Sequence, residues 1–163
     1  MLRRVAALLG FLVIAALTLG IVFILGMRAK SPPVLSAVRR VNRTVFNPRQ
    51  MESAGTPGSY ASVVHHVGRS TGNAYETPVG AVPTESGFVI ALPYGSHSDW
   101  LKNVLASGRA TLVTEGDTYE VDQPLVVPIE VAESYFSPED KRAQRLFGVD
   151  EGLMLRRIDS APA

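Results

Sequence analysis

The hydrophobic pattern of this sequence changes character twice along the chain. It opens with an apolar run, Val5 to Met27, that contains no charged residue. This run is long enough to cross a hydrocarbon core of about 30 Å. A cleaved signal peptide is the alternative, but its apolar region is usually about 7 to 15 residues and ends at a small-x-small site. Here the run is longer and Arg28, Ala29 and Lys30 follow it. An uncleaved transmembrane anchor is therefore favoured.

The charges around this run predict its orientation. Residues 1–50 carry eight Lys/Arg and no Asp/Glu, whereas residues 51–163 carry eight Lys/Arg and fifteen Asp/Glu. Arg3 and Arg4 precede the run, and a larger set follows it: Arg28, Lys30, Arg39, Arg40 and Arg43. The positive-inside rule then places the C-terminal part of a single-pass protein in the cytoplasm. The acidic balance of that part argues against a nucleic-acid partner.

A second helix is predicted after Pro32 and Pro33, because proline can open a helix but not continue one. Apolar residues recur at helical spacing from Val34 to Phe46, with arginines between them. Such a helix either lies on an anionic leaflet or docks on the folded domain. Asn47 to Ser59, rich in Pro, Gly and Ser, reads as a linker. The predicted organisation is an anchor (1–30), an amphipathic helix with linker (31–59) and a folded domain (60–163).

Short strands replace the helical period after the linker. The predicted strands are 60–66, 74–82, 88–92, 110–114, 118–127 and 152–157. A helix is expected from Ser98 or Asp99 to a terminating Gly108, and another from the Ser137-Pro138-Glu139-Asp140 start signal. Many short antiparallel strands with two small helices predict a compact β-barrel. Cysteine is absent, which excludes disulfides and thiolate chemistry.

Two segments of this domain could hold an anionic group. The first is the Gly-containing turn from Gly68 to Asn73, which offers backbone N–H groups and the Arg69 guanidinium. The second is the N-terminus of the helix that follows the Pro93 to Ser98 loop. Together they suggest a site for a phosphate-bearing cofactor.

These segments resemble a known family. Gly68-Arg69-Ser70-Thr71-Gly72 with Thr77-Pro78, then Leu92-Pro93-Tyr94-Gly95 with Asp99-Trp100 and Asn103-Val104-Leu105-Ala106, resemble the deazaflavin-dependent nitroreductases of actinobacteria. The match runs from about Ser62 to Val127. The resemblance implies a split β-barrel related to the flavin-binding, pyridoxamine-phosphate-oxidase-like proteins. It also implies reduced coenzyme F420 as hydride donor, with FMN or no cofactor as the alternatives, and quinones, nitroaromatics or similar activated acceptors as substrates.

The resemblance also implies which residues would bind the cofactor. Arg69, Ser70, Thr71 and Gly72 would meet its phosphate side, and Thr77 and Pro78 would lie along it. Tyr94, Gly95, Ser96 and Trp100 would border the ring. No catalytic side chain is implied, because the deazaflavin carries the hydride itself. A membrane-anchored member would pass that hydride to a lipophilic acceptor such as menaquinone.

Two positions depart from the family pattern. Family members commonly have Lys where this chain has Ser70 and Arg where it has Tyr75. The loss of a charged hydrogen bond costs about 1.5 to 3 kcal/mol. A second function therefore stays open, a non-catalytic split barrel that binds a ligand or lipid at the membrane surface.

Several single residues also allow other interpretations. Tyr94 and Trp100 could be ordinary core aromatics. His65 and His66 are adjacent on a strand and point to opposite faces, so they cannot chelate one metal together. Ser96, His97 and Asp99 lack the following glycine of a nucleophile elbow, which argues against a hydrolase.

Overall fold

The computed structural model describes the backbone of residues 2–158 and the side chains of residues 9–158. Residue 1 and residues 159–163, at the ends of the predicted segments 1–30 and 60–163, lie outside the described residues. The helices are α1 (Leu2–Arg28), α2 (Pro32–Val41), α3 (Asn47–Met51), α4 (Asp99–Ser107) and α5 (Pro138–Phe147). The strands are β1 (Ser62–Val67), β2 (Ala74–Val79), β3 (Ala81–Pro83), β4 (Gly87–Ala91), β5 (Arg109–Thr114), β6 (Asp117–Pro128) and β7 (Glu151–Arg157).

The seven strands form one antiparallel sheet in the order β2-β1-β5-β6-β7-β4-β3. The two edge strands, β2 and β3, are neighbours in the sequence and are separated only by Gly80. Edges that are joined in the chain but not paired with each other require the sheet to curl around on itself. The domain is therefore a curled antiparallel half-barrel with short helices, as expected for a split β-barrel.

The expectation of one strand from 74 to 82 is corrected at Gly80. The chain bends there, so that β2 pairs with β1 while β3 pairs with β4 at the opposite edge. Pro78 is tolerated in β2 because this is an edge strand, where a missing N–H breaks no ladder. The split between the two edges places β2 beside the cleft described below.

The barrel interior is filled from the sheet and from α4. Leu101 and Val104 of α4 are fully buried and pack with Val64, Leu112 and Leu153. β4 is buried on both faces: Val89 packs outward against Ile129, Ala132 and Phe136 of a second cluster around the 3₁₀ segment Ile129–Tyr135. Because α4 is fixed by the core, the loop before it has a defined position.

The local signals for the helix ends are confirmed. Gly108 ends α4 in the left-handed conformation with φ of 71°. Ser137 caps α5, since its side chain accepts a hydrogen bond from the Asp140 N–H at 3.1 Å. Ser98 occupies the N-cap position of α4 without a side-chain cap.

The predicted linker is partly helical. Beyond α2 the helix continues through a π-helical turn, Asn42–Phe46, into α3. Residues 47–51 therefore belong to a helix rather than to the linker predicted to begin at Asn47. Pro48 does not stop this helix because it lies in the first turn of α3, where proline replaces an N–H that has no partner. The turns that separate α3 from β1 are shorter than predicted.

Among the described residues, α1 is the helix that is long and apolar enough to span a membrane. Its last turns contact the folded domain. The Phe23 ring meets the Phe147 ring of α5 edge to face at 6.2 Å, and the Lys30 ammonium pairs with the Asp150 carboxylate at 3.2 Å. The Arg28 guanidinium donates to the Arg145 carbonyl at the end of α5. The domain is thus held against the end of this helix.

Candidate functional site

A cleft of about 1260 Å³ opens beside β2. The turn between β1 and β2, the strand β2 itself, the Pro93–Ser98 loop and the first turn of α4 supply one part of its lining. The helices α2, α3 and α5 and the π-helical turn supply much of the remaining lining. The cleft therefore lies where the barrel, the helices that follow α1 and the split between the sheet edges come together.

The cleft collects most of the residues that the sequence singled out. Eight of the ten line it, namely Arg69, Ser70, Thr71, Thr77, Pro78, Tyr94, Gly95 and Trp100. Gly72 and Ser96 do not line it. Residues far apart in sequence thus converge on one space, as a ligand site requires.

Arg69 is not a free cation in this structure. Its guanidinium pairs with the Asp99 carboxylate at 3.0 Å and donates to Asn103 Oδ1 at 2.8 Å. The Arg69 backbone N–H also donates to Asn103 Oδ1, at 3.2 Å. These contacts tie the β1–β2 turn to the first turn of α4. The sequence could not show them, because the partners lie 30 and 34 residues further along the chain.

Asn103 also contacts a buried histidine, His66. Its Nδ2 lies 3.1 Å from His66 Nδ1, and His66 Nε2 lies 3.1 Å from Thr77 Oγ1. Arg69, Asn103, His66 and Thr77 together are called the His66 network below. His66 is only 7% exposed. Burial, and then the neighbouring His65, lower the pKa of His66.

Tyr75 and Ser70 replace the expected cations at the edge of the cleft. The Tyr75 ring stacks on His66 with ring centres 5.8 Å apart, and its hydroxyl lies 3.3 Å from Thr71 Oγ1. A Cβ at Gly68 would collide with Thr71 Oγ1 and the Tyr75 ring, so a larger residue there would require these two side chains to move. The aromatic side chain at position 75 therefore packs over the His66 network.

Tyr94 joins the loop before α4 to the π-helical turn that follows α2. The Asn42 side-chain amide donates to its hydroxyl. Burial raises the pKa of Tyr94, and the hydrogen bond from Asn42 opposes that shift in part. The phenol is therefore neutral at physiological pH. Its hydrogen bond to Asn42 holds the π-helical turn beside the cleft.

Trp100 is both a core residue and a cleft residue. It is half-buried, packs against the main core cluster and lines the cleft. One face of the indole thus fits the interpretation as a core aromatic, and the other fits the interpretation as a residue that borders the ligand.

Three arginines that the sequence assigned to an amphipathic helix also line the cleft, namely Arg39, Arg40 and Arg43. No ion pair or side-chain hydrogen bond joins their guanidinium groups to another group among residues 9–158. Their interleaving with apolar residues was visible in the sequence, but which surface they face depends on how α2 docks.

One wall of the cleft reaches the apolar helix. Phe147 lines the cleft and contacts Phe23 of α1. Val41, Val45 and Phe46 of the neighbouring helical segment are 40% or more exposed. The cleft thus reaches α1 through Phe147, and the helical segment beside it carries exposed apolar residues.

The two adjacent histidines have different surroundings. His65 is partly exposed and lies 3.4 Å from the Glu76 carboxylate, whereas His66 is buried in its network. No cluster of three or more His, Asp or Glu that could hold a metal occurs among the residues that the structure describes.

Comparisons with known proteins give distant structural similarities. No family model and no curated protein matches the chain. A protein of unknown function from Agrobacterium tumefaciens, Atu2129, has 16% identity and a TM-score of 0.45, with 73% of this chain and 57% of that chain covered. An FMN-binding protein from Syntrophomonas wolfei has 12% identity and a TM-score of 0.38, with 79% and 99% covered. This chain thus spans little more than half of the first protein. At these values neither likeness transfers a function.

Proposed function

We propose that this protein is a membrane-anchored oxidoreductase that binds coenzyme F420 in the cleft and reduces a quinone, a nitroaromatic or a similar activated acceptor. The observation that carries the proposal is the convergence of Arg69, Tyr94 and Trp100 on one cleft that adjoins the apolar helix. The alternative cofactor is FMN.

The residues present suit a ligand with phosphate and carboxylate groups and an aromatic ring. Arg39, Arg40 and Arg43 offer guanidinium groups on the cleft without a carboxylate partner among residues 9–158. They offset the missing cations at Ser70 and Tyr75, because planar guanidinium forks suit phosphate and carboxylate oxygens. Tyr94 and Trp100 offer apolar surface for a ring. The cleft, at about 1260 Å³, is larger than the roughly 300 to 1,000 Å³ of ordinary small-ligand pockets, so it has room for a bulky cofactor.

When bound, the reduced cofactor would supply the hydride, and with a proton a quinone would leave as a quinol. The tasks of the protein are then to bind, to orient and to exclude water. Arg69, Ser70 and Thr71 would hold the phosphate side, and Tyr94 and Trp100 would border the ring. Phe147 would adjoin the path of a lipophilic acceptor, since it contacts both the cleft and Phe23.

A non-catalytic ligand-binding module is the second candidate. The ion pair between Arg69 and Asp99 favours it, because the arginine expected to bind phosphate is already neutralised. An enzyme would need its cofactor to compete with Asp99 or to bind mainly through the arginines of α2 and the π-helical turn.

Hydride transfer is the direct test of this proposal. The full chain in lipid nanodiscs is mixed with reduced F420 and a soluble naphthoquinone, and the absorbance of oxidised F420 is followed. We expect reoxidation that depends on both protein and quinone, and a parallel reaction with reduced FMN distinguishes the two cofactors. A rate equal to that of empty nanodiscs with either cofactor would contradict the oxidoreductase and favour the binding module.

Substitutions of Arg69 and of Asp99 should change the affinity for F420 in opposite directions. Arg69→Ala should weaken F420 binding more than tenfold, since a hydrogen bond to a charged group contributes about 2 kcal/mol. Asp99→Asn should strengthen binding, because it frees the guanidinium. Both are measured by equilibrium dialysis of the full chain, and Arg109→Ala, an exposed arginine at the start of β5, is the control. Equal affinities in all four proteins would remove Arg69 from the site.

The proposed location is a single-pass membrane protein with its folded domain in the cytoplasm. Protease added to intact cells should leave the domain whole, and protease added to permeabilised cells should digest it. The reason is the excess of Lys and Arg directly after the apolar run. Digestion from outside, or a mature N-terminus near Lys30, would contradict the orientation or the anchor.

A further inference from the structure

The His66 network has one consistent arrangement of protons. Asn103 Oδ1 accepts from two donors of Arg69, its guanidinium and its backbone N–H. An arginine offers only donors, so the Asn103 oxygen must face it. The amide nitrogen then faces His66 and donates to Nδ1 at 3.1 Å. Nδ1 is therefore the unprotonated nitrogen of a neutral imidazole.

The proton of His66 consequently lies on Nε2. From there it is donated to Thr77 Oγ1 at 3.1 Å. The Thr77 oxygen thus acts as an acceptor on its protein side, which leaves its own hydrogen free to be donated. Thr77 is half-buried and lines the cleft. An arginine on the turn therefore sets the direction of a hydroxyl about three hydrogen bonds away.

We propose that His66 is a positioning residue that presets the Thr77 hydroxyl as a hydrogen-bond donor to a phosphate, carboxylate or carbonyl oxygen of the ligand. The proposal rests on the proposed function in one respect, since it takes F420 as the ligand. It adds that the ligand atom beside Thr77 is an acceptor. A ligand that presents only an N–H or O–H donor at this point is disfavoured, because it would use the second lone pair of the Thr77 oxygen and leave the Thr77 hydrogen without an acceptor.

The same geometry makes the site sensitive to acid. A proton on Nδ1 would face the Asn103 amide hydrogens, and Asn103 cannot rotate without turning those hydrogens toward Arg69. The charged groups around His66 are Arg69 through Asn103, Asp99 of α4 through Arg69, and Glu76 of β2, which pairs with His65. No carboxylate contacts the His66 ring among the described residues. Protonation of His66 therefore disrupts the network rather than creating a new ion pair.

The lowered pKa of His66 agrees with a network that protonation disrupts. It also determines the direction in which stability changes with pH. The unfolded chain takes up a proton near the ordinary pKa of 6.5, whereas the folded protein does so only at lower pH. The contribution to stability is thus fully present above pH 6.5. It is lost as the pH falls from there through the folded pKa.

The first test reads the proton position without any ligand. The full chain, labelled with ¹⁵N-histidine, is studied in detergent micelles by long-range ¹H–¹⁵N NMR, and a His66→Gln sample assigns one of the three histidines. We expect His66 to be neutral at pH 7 with its hydrogen on Nε2. A hydrogen on Nδ1, or a cationic ring at pH 7, would overturn the proposal even if F420 binds.

The second test measures F420 affinity by equilibrium dialysis from about pH 7.5 down to about pH 5, because the lowered pKa of His66 moves its titration to the acid side of the ordinary histidine range. The affinity of the unmutated chain should be constant above about pH 6.5 and fall progressively below it, by about tenfold once His66 is protonated, because one hydrogen bond to a charged group is lost. His66→Gln cannot titrate yet can donate to Thr77, so it should bind F420 with a much weaker pH dependence. His65→Gln changes the partly exposed neighbour that helps to lower the His66 pKa, so its affinity should still fall in acid, with the fall moved to slightly higher pH.

Variants of Thr77 complete the design. Thr77→Val keeps the shape and removes the hydroxyl, so it should bind about tenfold more weakly at pH 7.5. Thr77→Ser should retain the affinity. Equal affinity of the Val and Ser variants, or the same pH profile in His66→Gln and the unmutated chain, would overturn the role of His66. Absence of F420 binding in every protein at every pH would instead contradict the proposed function, while the proton position is still decided by NMR.

Discussion

Trp100→Ala should lower the free energy of unfolding by about 3 kcal/mol and also abolish reduction of the acceptor. The indole packs against the core cluster on one side and lines the cleft on the other. Its removal leaves a cavity at the edge of the main core cluster and also removes the aromatic surface that borders the cleft. Trp100→Phe should keep most of the packing and much of the activity.

Stability of these variants is best followed by circular dichroism during urea unfolding, because Trp100 is the one tryptophan of the chain. Tyr60→Ala is a suitable control, since Tyr60 also lines the cleft but is 75% exposed. It should change stability by less than about 1 kcal/mol. A Trp100→Ala protein as stable as the Tyr60→Ala protein would show that the indole is not part of the core.

Gly87→Ala should be comparably destabilising, by about 3 kcal/mol, for a different reason. Gly87 pairs with Arg156 where β4 meets β7. A Cβ at this position would collide with the Leu155 carbonyl oxygen and come within 2.8 Å of the Arg157 nitrogen. These are backbone atoms of a paired strand, so they cannot move aside as a flexible side chain would.

Gly152→Ala offers a matched control on the same pair of strands. Gly152 pairs with Ala91, and a Cβ there would make contacts of 3.4 Å and longer, which are ordinary van der Waals distances. Its effect on the urea midpoint should be small. Equal midpoints for the two variants would mean that the β4–β7 pairing is not as close at Gly87 as the structure has it.

Much of the domain could be predicted from local sequence. The approximate positions of most strands, the stop at Gly108 and the start at Ser137 depend on residues close in the sequence, so their signals are local. The helical segment 47–51 and the break at Gly80 were not predicted, because the residues at these two places do not determine the local structure by themselves. Proline and glycine each allow more than one local structure, and packing decides between them.

The candidate site likewise has features that local sequence predicted and features that it did not. The turn from Gly68 to Asn73 and the loop before α4 were predicted as anion-binding segments, and both border the cleft. The pairing of Arg69 with Asp99 and the placement of His66 against Asn103 depend on how the β1–β2 turn meets α4. Contacts of this kind between distant residues follow from the fold as a whole, and no local pattern encodes them. The presence of Arg39, Arg40 and Arg43 on the cleft likewise required the docked position of α2.

The central claim is that the cleft holds F420 beside Trp100, and the emission of that single tryptophan tests it most directly. The full chain in nanodiscs is titrated with F420, and retention of F420 is measured in parallel by equilibrium dialysis. We predict saturable quenching that follows the bound fraction and is shifted to higher concentration by Arg69→Ala. Retained F420 with unchanged emission would place the cofactor elsewhere, and no retention together with unchanged emission would contradict F420 binding altogether.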